Sequence, residues 1–290
     1  MSIESILFNL SASRSDRKRD KAIPIPEGVS QCRNISYGHH GKWNLLDVYF
    51  PNGTNTPLPT IVSIHGGGYV YGNTEIYRRY CMDLARRGFS VVNFNYRLAP
   101  KWKFPAPLED TNTVLHWIYR NAAQYHLDPD RIILIGDSAG AQLASQYAAI
   151  AVNPDYAAVF DFQVPSVQIR VLCLNCGLYD PQEFSTGLTK GLVRDYLGPK
   201  PDWSDPRLRV LDAIHSDYPP TFLMTAHHDF LRDKMEPMAN YLKSKRIPCE
   251  AVCFGSPEDT HIAHVFHVNI VLPEAKRCND MECIFFRKYL

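Results

Sequence analysis

The sequence LIGDSAGAQLA, residues 134–144, joins an apolar run to an alanine-rich segment through two glycines that flank a serine. The apolar run is typical of a buried strand, and the segment from 139 to 152 is typical of a helix. The spacing of Gly136, Ser138 and Gly140 fits a sharp strand-to-helix turn, because larger residues two positions on either side of the serine would collide. We therefore predict a strained turn that lifts the Ser138 hydroxyl clear of the sheet at a helix N-terminus.

Alternating strands and helices are predicted on both sides of this turn. The predicted strands are 60–65, 90–96, 131–136, 167–174, 220–226 and 250–254, and the predicted helices are 74–87, about 106–125, 139–152, 233–246 and 274–289. Continuous hydrophobicity of the strands indicates burial on both faces, so the pattern predicts an α/β fold with a mostly parallel central sheet and helices on both faces. The segments RNISYG and NLLDVYF are expected to form a leading antiparallel pair.

Two segments fall outside this alternation, residues 1 to about 30 and residues about 180–218. The second is a long connection between two predicted strands, and connections of that length in a compact domain usually serve function. We expect the two segments to meet in a small helical cap over the carboxyl ends of the strands, where open α/β sheets keep their sites. The whole chain, 1–290, is then one domain.

Composition and charge exclude several classes of function. Lys and Arg number 31 against 30 Asp and Glu, so the net charge of +1 predicts neither nucleic-acid nor anionic-membrane partners and favours a small-molecule substrate. No apolar stretch reaches the roughly 18 residues of a membrane helix, and no signal peptide is apparent. We expect a cytoplasmic protein.

The 8 cysteines are too dilute for a disulfide scaffold, which agrees with a reducing compartment. Cys173 and Cys176 form a CxxC pair, a spacing used in redox and metal sites. They lie in an apolar strand-like run, and no second pair follows. A structural role is therefore favoured for both.

A serine hydroxyl is a weak nucleophile until a base accepts its proton, and a third group must orient that base. Asp229 follows the predicted strand 220–226, and His264 follows the next predicted strand. The order Ser138, Asp229, His264 is the order of the Ser-Asp-His set on an α/β sheet. These three residues are the predicted catalytic group.

Neighbouring residues leave alternatives open for the acid and for the base. Asp233 lies one turn into the following helix, where it is expected to face solvent or cap that helix. Four further histidines adjoin the favoured acid or flank the favoured base: His227, His228, His261 and His267.

A metal site is the other interpretation of this region. His261, His264 and His267 recur every three residues near Asp259, a pattern compatible with metal ligands. A serine mechanism already accounts for these residues, so we predict no metal and no cofactor.

The sequence IHGGGYVYGN, residues 64–73, places three glycines after a predicted strand. Acyl transfer passes through a tetrahedral intermediate whose oxygen becomes negative, and backbone amides stabilise that oxygen only if side chains leave room. Gly67, Gly68 and Ala139 are the predicted amide donors, with Gly66 allowing the loop to turn. The alternative is a glycine-rich turn without a ligand.

Five segments together resemble one known family. They are HGGGYVYGN (65–73), YRLAPKWKFPAPLED (96–110), GDSAG (136–140), HHDFLRD (227–233) and HVFH (264–267). From about residue 45 onward, the chain resembles the hormone-sensitive-lipase-like, HGGG-motif (family IV) microbial carboxylesterases of the α/β-hydrolase superfamily.

The resemblance implies a serine carboxylesterase that hydrolyses short-chain, acetyl-type esters through an acyl-enzyme intermediate, without a cofactor. It implies a catalytic triad of Ser138, Asp229 and His264. An oxyanion hole of Gly67, Gly68 and Ala139 is implied as well. The group also has a cap of the kind predicted above, and its members often form homodimers. A kynurenine-formamidase-like amidase and an inactive ligand-binding homologue are the alternative functions.

Three positions depart from the family pattern. Ala141 replaces the glycine that usually follows the serine motif, Lys101 replaces the glutamate of YRLAPE, and Val265 replaces the glycine after the histidine. None of these changes removes a reacting atom. The valine adds bulk beside His264, so His261 stays open as the base.

Overall fold

The structure is a computed structural model that describes residues 1–184 and 189–290. Its strands are β1 (Val29–Ser36), β2 (Leu45–Pro51), β3 (Leu58–Ile64), β4 (Ser90–Phe94), β5 (Leu127–Asp137), β6 (Ile169–Asn175), β7 (Thr221–Ala226) and β8 (Cys249–Phe254). Its helices are α1 (Ile3–Ala22), α2 (Thr74–Arg86), α3 (Ala106–Asn121), α4 (Ala139–Val152), α5 (Pro154–Ala157), α6 (Lys190–Leu197), α7 (Arg232–Ser244) and α8 (Pro273–Tyr289). Residues 185–188 of the predicted insertion lie outside the described residues.

The strands form one eight-stranded sheet in the order β1-β2-β4-β3-β5-β6-β7-β8. β2 pairs antiparallel with both β1 and β4, and every other pair is parallel. Successive residues of β5 enter different cores, with Ile132 and Leu134 on one face and Ile133 and Ile135 on the other. Side chains alternate across a strand, so both faces of the sheet are buried under helices. The predicted fold class and the leading antiparallel pair are confirmed.

Some strand boundaries differ from the predicted ones, because backbone pairing with a neighbouring strand extends beyond the apolar run that marked the strand in the sequence. β5 begins at Leu127 rather than at 131, because Leu127 and Asp128 pair with the first residues of β3 before a register shift. The Asp128 N–H also donates to Thr60 Oγ1 at 2.7 Å. β1 begins at Val29, so the last residues of the N-terminal segment join the sheet. Pairing at the ends of strands leaves no strong mark in the hydrophobicity of the sequence.

The N-terminal helix contacts the insertion. Ser2 caps α1 by accepting the Ser5 N–H, and the Ser2 N–H donates to Asp195 Oδ2 of α6 at 2.7 Å. The two helices approach closely at Gly191, where an added Cβ would lie 2.5 Å from Glu4 Cβ. The two segments that lacked a place in the predicted sheet are therefore in contact.

Among the described residues, no helix combines the length and the apolar character that crossing a bilayer requires.

Candidate active site

The serine turn connects β5 to α4 at the centre of the sheet. Ser138 has φ 54° and ψ −119°, a strained conformation for a residue with a side chain. A Cβ added to Gly136 would lie 2.2 Å from Gly140 O, and one added to Gly140 would lie 2.1 Å from Ile64 O. Both contacts are with backbone atoms. Glycine is therefore required on both sides of Ser138 for steric reasons.

Asp229 and His264 are hydrogen-bonded to each other. His264 Nδ1 lies 2.7 Å from Asp229 Oδ1, and the carboxylate also accepts the Thr225 hydroxyl at 2.8 Å and the Leu231 N–H at 2.9 Å. Burial alone would raise the pKa of Asp229, but the hydrogen bond and charge of His264 and the other two donors lower it below its ordinary value. An ionised Asp229 requires Nδ1 to carry the proton, which leaves Nε2 of the neutral ring as an acceptor.

The end of β6 links the histidine loop to the serine turn. The Ser138 N–H donates to the carbonyl oxygen of Asn175, the last residue of β6, at 3.0 Å. The Val265 N–H donates to the sulfur of Cys176, which directly follows Asn175, at 3.3 Å. Within the described residues, the Ser138 hydroxyl makes no hydrogen bond to the His264 ring. Catalytic hydrogen bonds of this type are often long in a free enzyme and tighten when substrate binds.

The glycine loop lies against the serine turn. A Cβ on Gly66 would lie 3.3 Å from Ser138 Cβ, and Gly67 and Gly68 have φ values of 109° and 58°. Across the two described ranges, the N–H groups of Gly67, Gly68 and Ala139 donate to no protein acceptor. Gly68 and Ala139 are buried residues, and buried backbone donors without a partner are rare.

Tyr77 connects the glycine loop to the serine turn, a role that sequence analysis did not identify. The tyrosine hydroxyl accepts the Gly66 N–H at 3.1 Å and donates to Asp137 Oδ2 at 2.7 Å. Burial raises the pKa of Asp137 to about 6, against the opposing effect of the Tyr77 hydrogen bond. Tyr77 lies eleven residues from Gly66 on α2, and no local motif marks its partner.

The alternative acid and the histidines beside it lie elsewhere. The Asp233 side chain is 88% exposed and pairs with Arg232, so it faces solvent. His227 contacts the same arginine at 3.1 Å, and His228 Nε2 lies 2.9 Å from Pro257 O. Neither Asp233 nor these histidines contact His264 through a hydrogen bond.

The alternative bases are also placed away from Asp229. His261 is 56% exposed and lies 4.0 Å from Glu274. His267 is buried with its ring edge-on to Tyr80, and burial lowers its pKa to about 3. Of the three histidines at three-residue spacing, the structure brings only His264 to the carboxylate.

One group of three potential metal ligands occurs in the part of the chain that the structure describes. Donor atoms of Cys176, Asp229 and His264 lie within 4.8 Å of one another. Each already has a partner, since Nδ1 bonds the carboxylate and the sulfur accepts the Val265 N–H. Among the described residues, His261, His264 and His267 do not form a metal-ligand group with Asp259.

All eight cysteines are free. Cys173 lies within β6 and Cys176 directly follows it, and both are fully buried in the same apolar core.

A family model described as alpha/beta hydrolase fold matches residues 61–267. The chain belongs to this family. Within it, the chain is a member of the hormone-sensitive-lipase-like group and a carboxylic ester hydrolase. The matched range contains the glycine loop, the serine turn and the Asp229–His264 pair.

Several similar proteins are named as esterases. The carboxylesterase NlhH of Mycobacterium tuberculosis is 29% identical over 273 residues, covering 87% of this chain and 80% of the relative. The versiconal hemiacetal acetate esterase of Dothistroma septosporum is 30% identical over 248 residues, covering 79% and 73%. Esterase B of Lactobacillus rhamnosis, solved with a tributyrin phosphonate inhibitor, superposes with a TM-score of 0.89 at 24% identity, covering 100% of this chain and 96% of that one. At this level of sequence identity, the similarity to Esterase B shows a shared fold and nothing more.

Proposed function

We propose that this alpha/beta hydrolase is a serine carboxylesterase that hydrolyses short, acetyl-type esters through an acyl-enzyme at Ser138. The observation that carries the proposal is the buried, ionised Asp229 bonded to His264 at 2.7 Å, in a structure that also holds a strained Ser138 and three unpaired backbone donors. A carboxylate, an oriented imidazole, a hydroxyl and an oxyanion site together are the requirements of acyl transfer.

In the first half-reaction, His264 Nε2 accepts the Ser138 proton while the serine oxygen attacks the ester carbonyl carbon. Asp229 stabilises the imidazolium that forms, and the amides of Gly67, Gly68 and Ala139 receive the negative oxygen. The imidazolium then protonates the departing alcohol. The acyl group is left on Ser138.

In the second half-reaction, His264 takes a proton from water, and the resulting nucleophile attacks the acyl-enzyme carbonyl. The same amides stabilise the second tetrahedral oxygen. Collapse of this intermediate returns the proton to Ser138 and releases the carboxylic acid.

The preference for a short acyl group rests on contacts of the glycine loop. A Cβ on Gly68 would lie 2.8 Å from Leu192 Cδ1, so α6 places an aliphatic wall directly over this loop. We propose that α1 and the insertion that contains α6 act as the cap, with Leu192 limiting acyl length. Two relatives, the versiconal hemiacetal acetate esterase and the ethyl acetate hydrolase of Pseudomonas putida, are named for acetate esters.

The alcohol side of the ester is proposed to face solvent near Phe230. This ring is 62% exposed and lies 4.4 Å from the His264 ring, measured between centroids. His264 must protonate the leaving alcohol, so that alcohol passes close to Phe230.

The decisive experiment measures hydrolysis of p-nitrophenyl acetate by the wild type and by Ser138→Ala. We expect the variant to fold and to keep only the small residual activity that the oxyanion site supplies without a nucleophile. Mass spectrometry should detect acetylated Ser138 in the quenched wild type. Retention of most activity by Ser138→Ala would refute the assignment. Ser145→Ala, a change at a buried serine of α4, is the matched control.

The alternatives are separated by two further assays. Faster turnover of formyl amides than of acetyl esters would favour an amidase of the kynurenine formamidase type. Complete inertness to a fluorophosphonate probe would favour a ligand-binding homologue without catalysis. A series of p-nitrophenyl esters of increasing acyl length tests Leu192, because Leu192→Ala should shift the preference towards longer chains.

A further inference from the structure

Large apolar side chains are exposed along one face of α1. In the first half of the helix, Ile3 is 74% exposed, Ile6 45%, Leu7 61% and Leu10 62%. Single exposed apolar residues are ordinary, but four on adjacent turns form a contiguous patch. Exposed apolar patches of this kind are typical of surfaces that contact another protein or a membrane.

Basic side chains continue the same face in the second half of the helix. These are Arg14, Arg17, Lys18 and Lys21, all exposed. At about 100° per residue, the four apolar and four basic residues fall within an arc of about 120°. We call this set of eight residues the outer face of α1.

Acidic residues of α1 lie away from the outer face. Asp16 and Asp20 both pair with Arg19, at 2.9 and 2.8 Å, and Asp16 accepts the Tyr71 hydroxyl. Across the described ranges, the four basic residues of the outer face form no ion pair. Their charges are therefore not neutralised by the protein.

The opposite side of α1 holds it to the body of the molecule near the glycine loop. Asn9 Nδ2 lies 3.4 Å from Val70 O, and Arg19 donates to Ile76 O at 2.8 Å. The helix thus lies on the segment that follows the glycine loop, with its outer face directed to solvent.

We propose that the outer face of α1 docks the protein on an anionic lipid surface. Leu and Ile side chains on one helix face enter the boundary between headgroups and acyl chains, and Lys and Arg beside them meet the lipid phosphates. The net charge of +1 predicted no such partner because it averages over the whole chain. The structure concentrates four unpaired cations on one short surface.

A second copy of this chain fits the outer face less well. In an antiparallel pair, the apolar half of one helix would meet the basic half of the other. In a parallel pair, four cations would oppose four cations. An anionic bilayer matches both halves at once, because it offers apolar depth and negative charge at every point.

The test measures co-sedimentation of the full chain with phosphatidylcholine vesicles that contain or lack phosphatidylglycerol. We expect binding to vesicles with the anionic lipid only, weakened by salt. Each basic residue near such a surface contributes about fivefold in affinity, so replacing Arg14, Arg17, Lys18 and Lys21 with Gln should lower the binding by more than about tenfold. The matched control replaces Arg120, Lys200, Lys243 and Arg246, four exposed basic residues elsewhere, with Gln.

The apolar half is tested by Leu7→Ser with Leu10→Ser, compared with Val271→Ser and Ile284→Ser at exposed positions distant in sequence. Only the first pair should weaken binding. The proposal would be overturned if the wild type did not bind vesicles at low salt, or if the outer-face and control variants lost binding equally.

A dimer that only the α1 changes abolish, in a protein that does not bind vesicles, would assign the outer face of α1 to a second copy of the chain. Vesicle binding does not depend on esterase activity, so this result is independent of the proposed function.

Discussion

The serine turn and the histidine loop each contain a non-glycine residue with positive φ, but ψ differs: −119° at Ser138 and 32° at Val265. Ser138 and Val265 both have φ 54°. Ser138 is flanked two residues away by glycines that press on backbone atoms, whereas Val265 is a β-branched residue in the left-handed region with a cysteine sulfur as acceptor for its N–H. Left-handed backbone is most costly for β-branched residues.

The difference indicates where strain is required and where it is tolerated. At the serine turn, the strained residue is the proposed nucleophile, and close backbone packing enforces its conformation. In the histidine loop, the strained residue follows the proposed base and carries no reacting atom. We therefore expect changes in the serine turn to be damaging and relief of strain at Val265 to be favourable.

The largest expected effect comes from the carboxylate that orients His264. Asp229→Asn should lower kcat/KM by about 10⁴-fold while the protein stays folded, because an amide does not hold the imidazole in the required tautomer. Steady-state kinetics with p-nitrophenyl acetate measure the change. Asp233→Asn, at the exposed alternative acid, is the control and should leave the rate unchanged. A similar loss in both variants would remove the special role of Asp229.

The second effect tests close packing of the serine turn. Gly140→Ala places a methyl group 2.1 Å from Ile64 O, so it should lower the free energy of unfolding by more than about 3 kcal/mol. Gly88→Ala is the control, since nothing lies within 4 Å of a Cβ there and only its φ of 96° opposes the change, at a cost of about 1 kcal/mol. Urea unfolding of both variants decides the point, and equal losses would contradict a steric requirement at Gly140.

The third effect concerns a buried glutamate behind the serine turn. Asn175, whose carbonyl accepts the Ser138 N–H, donates its side-chain amide to Glu282 at 2.8 Å. Burial raises the pKa of Glu282 from 4.5 to about 7, so the native state retains a proton that the unfolded chain releases. The stability from this proton is fully present below pH 4.5 and is lost as pH rises through about 7.

Glu282→Gln should therefore become more stable relative to the wild type as pH rises across this window, by up to about 3 kcal/mol. Unfolding curves at about pH 5 and about pH 8 provide the comparison. Glu250→Gln is the control for loss of an exposed carboxyl. A constant difference between Glu282→Gln and the wild type at both pH values would show that Glu282 does not retain the proton.

The smallest effect is expected in the histidine loop. Val265→Gly should raise the free energy of unfolding by about 1 kcal/mol, because relief of left-handed strain exceeds the entropic cost of glycine. Val265→Ala keeps a Cβ and should gain less. Thermal unfolding distinguishes the two, and a glycine variant less stable than the alanine variant would show that Val265 is held without strain.

Most of the strands and the serine turn were predictable because their causes are local. Apolar runs marked β3 to β8, and the collision of side chains two residues from a serine follows from the turn itself. The first residues of β5 were missed because they depend on pairing with β3, and the extent of β1 depends on pairing with β2.

The sequence favoured His264 as the base and kept other histidines open as alternatives, and the structure brings His264 alone of them to Asp229. The Tyr77–Asp137 and Asn175–Glu282 contacts were not predictable, since they join residues 60 and 107 positions apart. The charges of α1 were visible, but their separation onto one exposed face was not.

By itself, then, the sequence determined the order of strands and helices, the serine turn and the candidate residues, because hydrophobic periodicity and glycine sterics act over a few neighbouring residues. Only the tertiary structure decided which imidazole meets which carboxylate, which amides remain free and which side of α1 faces solvent. These features depend on segments that are distant in the sequence and meet only in the folded protein. Hydrogen-bond geometry and burial are therefore defined only after those segments have packed.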